Sequence, residues 1–180
     1  STGRPKGSPM PTLLISDTSV LLDLHRGGVL GPLFKLSFEF GVPDVLFERE
    51  LVHWDGPALE PLGLKVLVLD PNGVALAQAY RSLEPKLSLP DSFALALAKA
   101  GGHILLAGDA SLRQLAKAER VECHGVLCVF DALEEEGVLS PSQLLAGLTQ
   151  LTSHQRCRLP ASESQRRLER YRRASRSRPE

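Results

Sequence analysis

Short apolar runs recur along this chain, and four of them are closed by an aspartate just before a segment of helical periodicity begins. Leu13-Leu14-Ile15-Ser16 ends at Asp17, Lys65 to Leu69 at Asp70, His103 to Ala107 at Gly108-Asp109, and Gly125 to Phe130 at Asp131. Phe38 to Pro43 is a fifth run, leading into a helical segment over Val45 to Trp54. Apolar runs of this length bounded by turn residues predict buried strands. Between them, Val74 to Leu83 and Ser92 to Ala100 repeat apolar residues at helical spacing, the latter stopped by Gly101-Gly102. Ser111 to Ala118 puts Leu112, Leu115 and Ala116 on one face. Strands alternating with helices of this length predict a three-layer α/β/α fold around a central, mainly parallel sheet of about five strands. Ser140-Pro141-Ser142 predicts a further helix over 141–151, and 162–174 reads as a terminal Arg-rich helix.

The length of 180 residues fits one globular domain with an appendage. Residues 1–9 carry no apolar periodicity and read as an expression remnant or a disordered leader, residues 10–150 as the domain, and 151–180 as a basic tail. With 43% hydrophobic and 23% charged residues the chain can bury a core, and no run approaches a membrane span, which places the expected location in the cytoplasm. Cys123, Cys128 and Cys157 are too few and too irregular for a disulfide framework. The zero net charge conceals an asymmetry: residues 1–154 hold 12 Lys+Arg against 18 Asp+Glu, and residues 155–180 hold 9 against 3. A tail of net charge +6 on a body of −6 is expected to meet an anionic surface, either nucleic acid or the body of another copy or partner.

Open parallel sheets bind ligands at the carboxyl ends of their strands, and the acidic residues are placed for that edge. Asp17 closes the first strand, Asp109 closes the fourth behind a glycine, Glu48 lies in the first turns of the helix after the second, and Asp91 follows Pro90 at a helix start. Several carboxylates at one edge raise one another's pKa unless a counter-charge joins them. A hard divalent cation, Mg²⁺ or Mn²⁺, supplies it through one or two direct carboxylates and retained waters.

Four blocks of the chain together resemble the PIN domain nucleases, and most closely their VapC-like toxin branch. They are Ile15-Ser16-Asp17-Thr18-Ser19-Val20-Leu21, Val42-Pro43-Asp44-Val45-Leu46-Phe47-Glu48-Arg49-Glu50-Leu51, Leu89-Pro90-Asp91-Ser92-Phe93-Ala94-Leu95-Ala96-Leu97-Ala98, and Leu105-Leu106-Ala107-Gly108-Asp109-Ala110-Ser111-Leu112-Arg113. The resemblance covers about residues 12–150 and implies an acidic quartet that binds one or two Mg²⁺ or Mn²⁺ ions and cleaves single-stranded RNA. It places Asp17, Asp91 and Asp109 in the quartet with Glu48, and leaves Glu50 as the alternate glutamate. Thr18 or Ser19, and Ser111, look like the hydroxyls such proteins set beside their aspartates. The fourth block departs from the usual pattern, with Ala107 where threonine or serine most often precedes Gly-Asp, so one supporting donor is lost. Arg113 and Lys117, one turn apart after Asp109, are candidate RNA phosphate contacts. The branch further implies a homodimer, the toxin of a type II toxin–antitoxin pair, blocked by a cognate antitoxin.

Blander readings stand beside these. Asp17 and Asp91 also read as helix caps, Asp109 as a turn residue, and Asp131 as a cap rather than a fifth acid. Asp23 and Glu134-Glu135-Glu136 read as solvated, and Trp54 and Tyr80 as core or interface residues. The five histidines lack zinc-enzyme spacing, and no phosphate-loop motif occurs. The competing functions are a catalytically inactive PIN-like module for RNA binding or assembly, and a metal-dependent phosphatase.

Overall fold

A computed structural model describes residues 12–54 and 56–177; the leader expected over residues 1–9 lies outside them. Five strands form one all-parallel sheet: β1 (Leu13–Ser16), β2 (Glu39–Pro43), β3 (Lys65–Leu67), β4 (Ile104–Leu106) and β5 (Cys123–His124), in the order β3-β2-β1-β4-β5. Ile15 pairs with Gly41 on one side and Leu105 on the other, so β1 is the central strand. The chain leaves β1 toward β2 and β3, then returns to add β4 on β1's free side. The place where the order reverses is therefore the crevice between the ends of β1 and β4, the position at which such sheets hold ligands.

Alternate residues of the central strands feed two separate cores. Leu14, Phe40, Val42 and Leu106 join one cluster with helices α1 (Thr18–Arg26), α2 (Leu30–Leu33), α8 (Val126–Glu135), α9 (Pro141–Thr152) and α10 (Ala161–Ser177). Ile15, Leu105 and Ala107 face the other way, onto α5 (Pro71–Leu83), α6 (Leu89–Gly101) and α7 (Ala110–Ala118). A period-two backbone thus yields the three-layer α/β/α architecture read from the sequence. The remaining elements are the short α3 (Asp44–Leu46), a π-helical turn over Phe47–Leu51 and α4 (Gly56–Leu59). The helix expected over Val45 to Trp54 is thus a widened turn rather than a regular helix. No helix among the described residues is long and apolar enough to cross a membrane.

One strand assignment is overturned. Gly125 to Phe130 is not a strand: Gly125 starts α8, and the fifth strand is the two-residue β5 just before it. Val126, Leu127, Val129, Phe130 and Leu133 are all buried in α8, at spacings of a helical stripe. A short, wholly apolar run fits either period, and the burial of one helix face decides it here. Asp131 consequently sits inside a helix rather than capping it.

The C-terminal helix α10 packs along α9, with Leu168 and Tyr171 buried. Arg167 grips Asp131 with two hydrogen bonds, of 2.8 and 2.7 Å. Arg170 bonds Glu134 at 2.7 Å and Asp131 at 3.3 Å. Part of the tail's charge is therefore met by this chain's own carboxylates, and Glu134 is paired rather than solvated. Asp23 likewise is half-buried and bonds Arg26 at 3.5 Å.

Candidate active site

Asp17 is the first residue after β1 and is completely buried. Its Oδ1 accepts the backbone N–H of Val20 at 2.8 Å, which makes it the N-cap of α1. Its Oδ2 accepts the Ser19 hydroxyl at 2.9 Å and, from across the sheet, the backbone N–H of Gly108 at 2.9 Å. The cap reading is met, and the same carboxylate ties the end of β1 to the end of β4. Burial raises its pKa, opposed by these three hydrogen bonds, and the negative charge of Asp109 adds to the rise.

Asp109 follows β4 and caps α7, its Oδ2 accepting the N–H of Leu112 at 2.9 Å, while the residue itself is exposed. Asp91 does not cap its helix. Ser88 does, and Asp91 lies in the first turn, where burial and then the charges of Asp17, Asp109 and Glu50 push its carboxyl up to about 7, against a hydrogen bond from Ser88. The structure therefore brings Asp17, Asp91 and Asp109 into one electrostatic neighbourhood, with no basic residue among the influences on Asp91.

The glutamates separate. Glu48 and Glu50 both stand exposed on the π-helical turn, and it is Glu50 whose charge reaches Asp91. A π-helix advances fewer degrees per residue than an α-helix, so counting α-helical turns from the strand end misjudges which side chain faces the site. Of the hydroxyls, Ser19 reaches a carboxylate, whereas among the described residues Thr18 and Ser111 hydrogen-bond to none. Arg113 and Lys117 are exposed on α7.

Sequence reasoning missed the part played by Gly108. Beyond allowing a turn, it donates its N–H to Asp17, and a Cβ there would stand 2.6 Å from the Ser19 Oγ. The glycine in Ala107-Gly108-Asp109 was the available signal: close approach of backbone to a side chain requires a residue without Cβ.

The donor set is all oxygen, which suits a hard cation. Among the described residues no three His, Cys, Asp or Glu side chains converge closely enough to hold one together. Such a set could hold an ion only through one or two direct carboxylates with water completing the shell, and among the described residues Oδ1 of Asp109 accepts no hydrogen bond. A family model described as PIN domain matches residues 13–173, nearly the whole described chain. No curated protein matches the chain.

Proposed function

We propose, from the premise that the chain belongs to the PIN-domain family, that it is a metal-dependent endoribonuclease acting on single-stranded RNA. PIN domains are generally nucleases and usually use divalent metals. The observation that carries the reading is the meeting of Asp17 and Asp109 at the reversal point of the sheet, with Asp91 beside them and, among the described residues, no basic side chain paired with any of the three.

Asp109 and Asp91 would hold Mg²⁺ or Mn²⁺, Glu50 would do so through water, with Glu48 as the other candidate, and Asp17 would fix the frame. Such an ion, when bound, lowers the pKa of a water and neutralises charge on a phosphate. The chain's own contribution is placement. Asp17, locked by three donors, holds the ends of β1 and β4 in register. Asp91, whose carboxyl is pushed up to about 7 in the metal-free protein, would offer its oxygens to the ion as it ionises. Arg113 and Lys117 supply positive charge for the phosphate backbone on the side of Asp109.

The narrower reading, the toxin of a type II toxin–antitoxin pair that forms a homodimer and is blocked by a cognate antitoxin, rests on the four sequence blocks that resemble the VapC-like branch. A second reading, an inactive PIN-like RNA-binding module, draws on the complete burial of Asp17 and on Ala107. One experiment separates them: purified protein is incubated with labelled single-stranded RNA and Mg²⁺ or Mn²⁺, against EDTA and against Asp109→Asn. Cleavage that needs both metal and Asp109 supports the nuclease. RNA binding without cleavage, and no metal uptake by calorimetry, leaves the inactive module.

A further inference from the structure

Among the described residues, four helices of nine residues or more close with the same turn, in which the chain passes through the left-handed region and an N–H reaches back to a carbonyl five residues earlier. After α1 the left-handed residue is Gly28, with Val29 N–H bonding Leu24 carbonyl at 3.0 Å. After α6 it is Gly102, with His103 bonding Ala98 at 2.9 Å, and after α8 it is Gly137, with Val138 bonding Leu133 at 3.0 Å. After α7 the bond is the same, Val121 to Ala116 at 2.8 Å, but the left-handed residue is Arg120, at φ 58°. It is the one non-glycine with positive φ among the described residues. Glycine takes this conformation without penalty, and any other L-residue holds it at a cost in stability. An arginine where three equivalent turns use glycine points to a use for its side chain.

Its surroundings indicate which use. Arg120 lines an open cleft with Arg113, Gln114, Lys117, Glu122 and Cys123. Arg113 and Lys117 stand on one face of α7, about 6 Å apart along the axis, and Arg120, past the helix end, lines the same cleft. A Cβ on Gly125 would stand 3.0 Å from Arg113 Nη1, so this guanidinium forms the wall of the cleft toward β5 and α8. Among the described residues none of the three cations forms an ion pair, in contrast to Arg167 and Arg170. Arg113 lies one turn beyond Asp109.

We infer that this cleft is a backbone subsite for single-stranded RNA, in which Arg113, Lys117 and Arg120 contact successive phosphates of the strand leading away from Asp109. The inference rests on the proposed function for the ligand being RNA, and extends it to a path and to a third contact. Three cations lining one cleft suit a repeating phosphodiester, and the Gln114 amide offers both donor and acceptor to a base edge.

Arg120→Gly tests it, since glycine fits the turn better than arginine and the fold is retained. Anisotropy of a fluorescein-labelled eight-nucleotide oligouridylate, measured in EDTA so that nothing is cut, reports binding alone. Arg120→Gly is expected to bind about fivefold more weakly at 0.1 M salt, with the slope of log affinity against log salt shallower by about 0.7. Its melting midpoint should equal or exceed that of the wild type, and Lys117→Gln should lose a similar factor. Unchanged affinity and slope in Arg120→Gly would overturn the subsite, as would oligoglutamate of matched charge competing as well as RNA. Weakened binding in a protein that cleaves nothing would keep the subsite and discard the nuclease reading, whereas cleavage with Arg120→Gly binding normally would do the reverse.

Discussion

Asp131 and Glu134 share two arginines, whereas among the described residues Asp17, Asp91 and Asp109 form no ion pair. The first group lies on α8, where α10 brings Arg167 and Arg170 against it with bonds as short as 2.7 Å. The second lies at the ends of β1 and β4 and the start of α6, held by backbone N–H groups and hydroxyls. Charges matched inside the chain contribute to holding it together. Charges left unmatched at a sheet edge weaken the fold, and are retained where an outside cation or substrate completes them.

The sharpest break between the two groups is expected from isosteric neutralisation. Asp109→Asn keeps an oxygen for the Leu112 N–H, so stability should stay within about 0.5 kcal/mol of the wild type. RNA cleavage should fall by about a hundredfold or more, read from initial rates with Mg²⁺. Arg167→Ala should do the opposite: it strips Asp131 of its two-pronged partner, costing about 1–3 kcal/mol in denaturant unfolding, with cleavage kept. Equal loss of activity in both variants would erase the distinction.

Acidity provides a further contrast. The Asp91 carboxyl, raised from 3.8 to about 7, favours its protonated form in the fold. Its contribution to stability is therefore complete below about pH 4 and is lost as pH rises through 7. The metal-free protein should melt at progressively lower temperature between pH 4 and 7, and Asp91→Asn should flatten that trend. Metal affinity should run the other way, strengthening as Asp91 ionises. The smallest effect expected is between the two glutamates: Glu50→Gln should slow cleavage several-fold more than Glu48→Gln, in parallel assays at one metal concentration.

The fold was largely legible because strands β1 to β4 are short apolar runs ended by acids and glycines, and the helices between them carry clear 3.6-residue stripes. β5 was misplaced because two residues, Cys123 and His124, carry no pattern, while the neighbouring α8 is apolar enough to pass for a strand. Asp17, Asp91 and Asp109 were legible since each sits at a strand end or in the first turn of a helix. Which of Glu48 and Glu50 carries its charge toward Asp91 was not, because the local backbone is π-helical and no residue in Phe47–Leu51 announces that. The positive charge of α10 was legible, but its partners were sought outside the chain: two of its arginines find this chain's own Asp131 and Glu134, whose separation in sequence from Arg167 and Arg170 hides the match.

The hydrogen bond from Gly108 to Asp17 spans 91 residues of sequence. An all-parallel sheet has no hairpins, so β1 waits for β4 before its end is complete. During synthesis from the N-terminus, every nascent chain shorter than Gly108 therefore carries Asp17 without its cross-sheet partner, and Asp109 arrives one residue later. The acidic edge comes into being in a single late step, after which α7, α8, α9 and α10 still have to be made. A chain assembled in this order has no complete acidic edge until residue 109 of its 180 has been made.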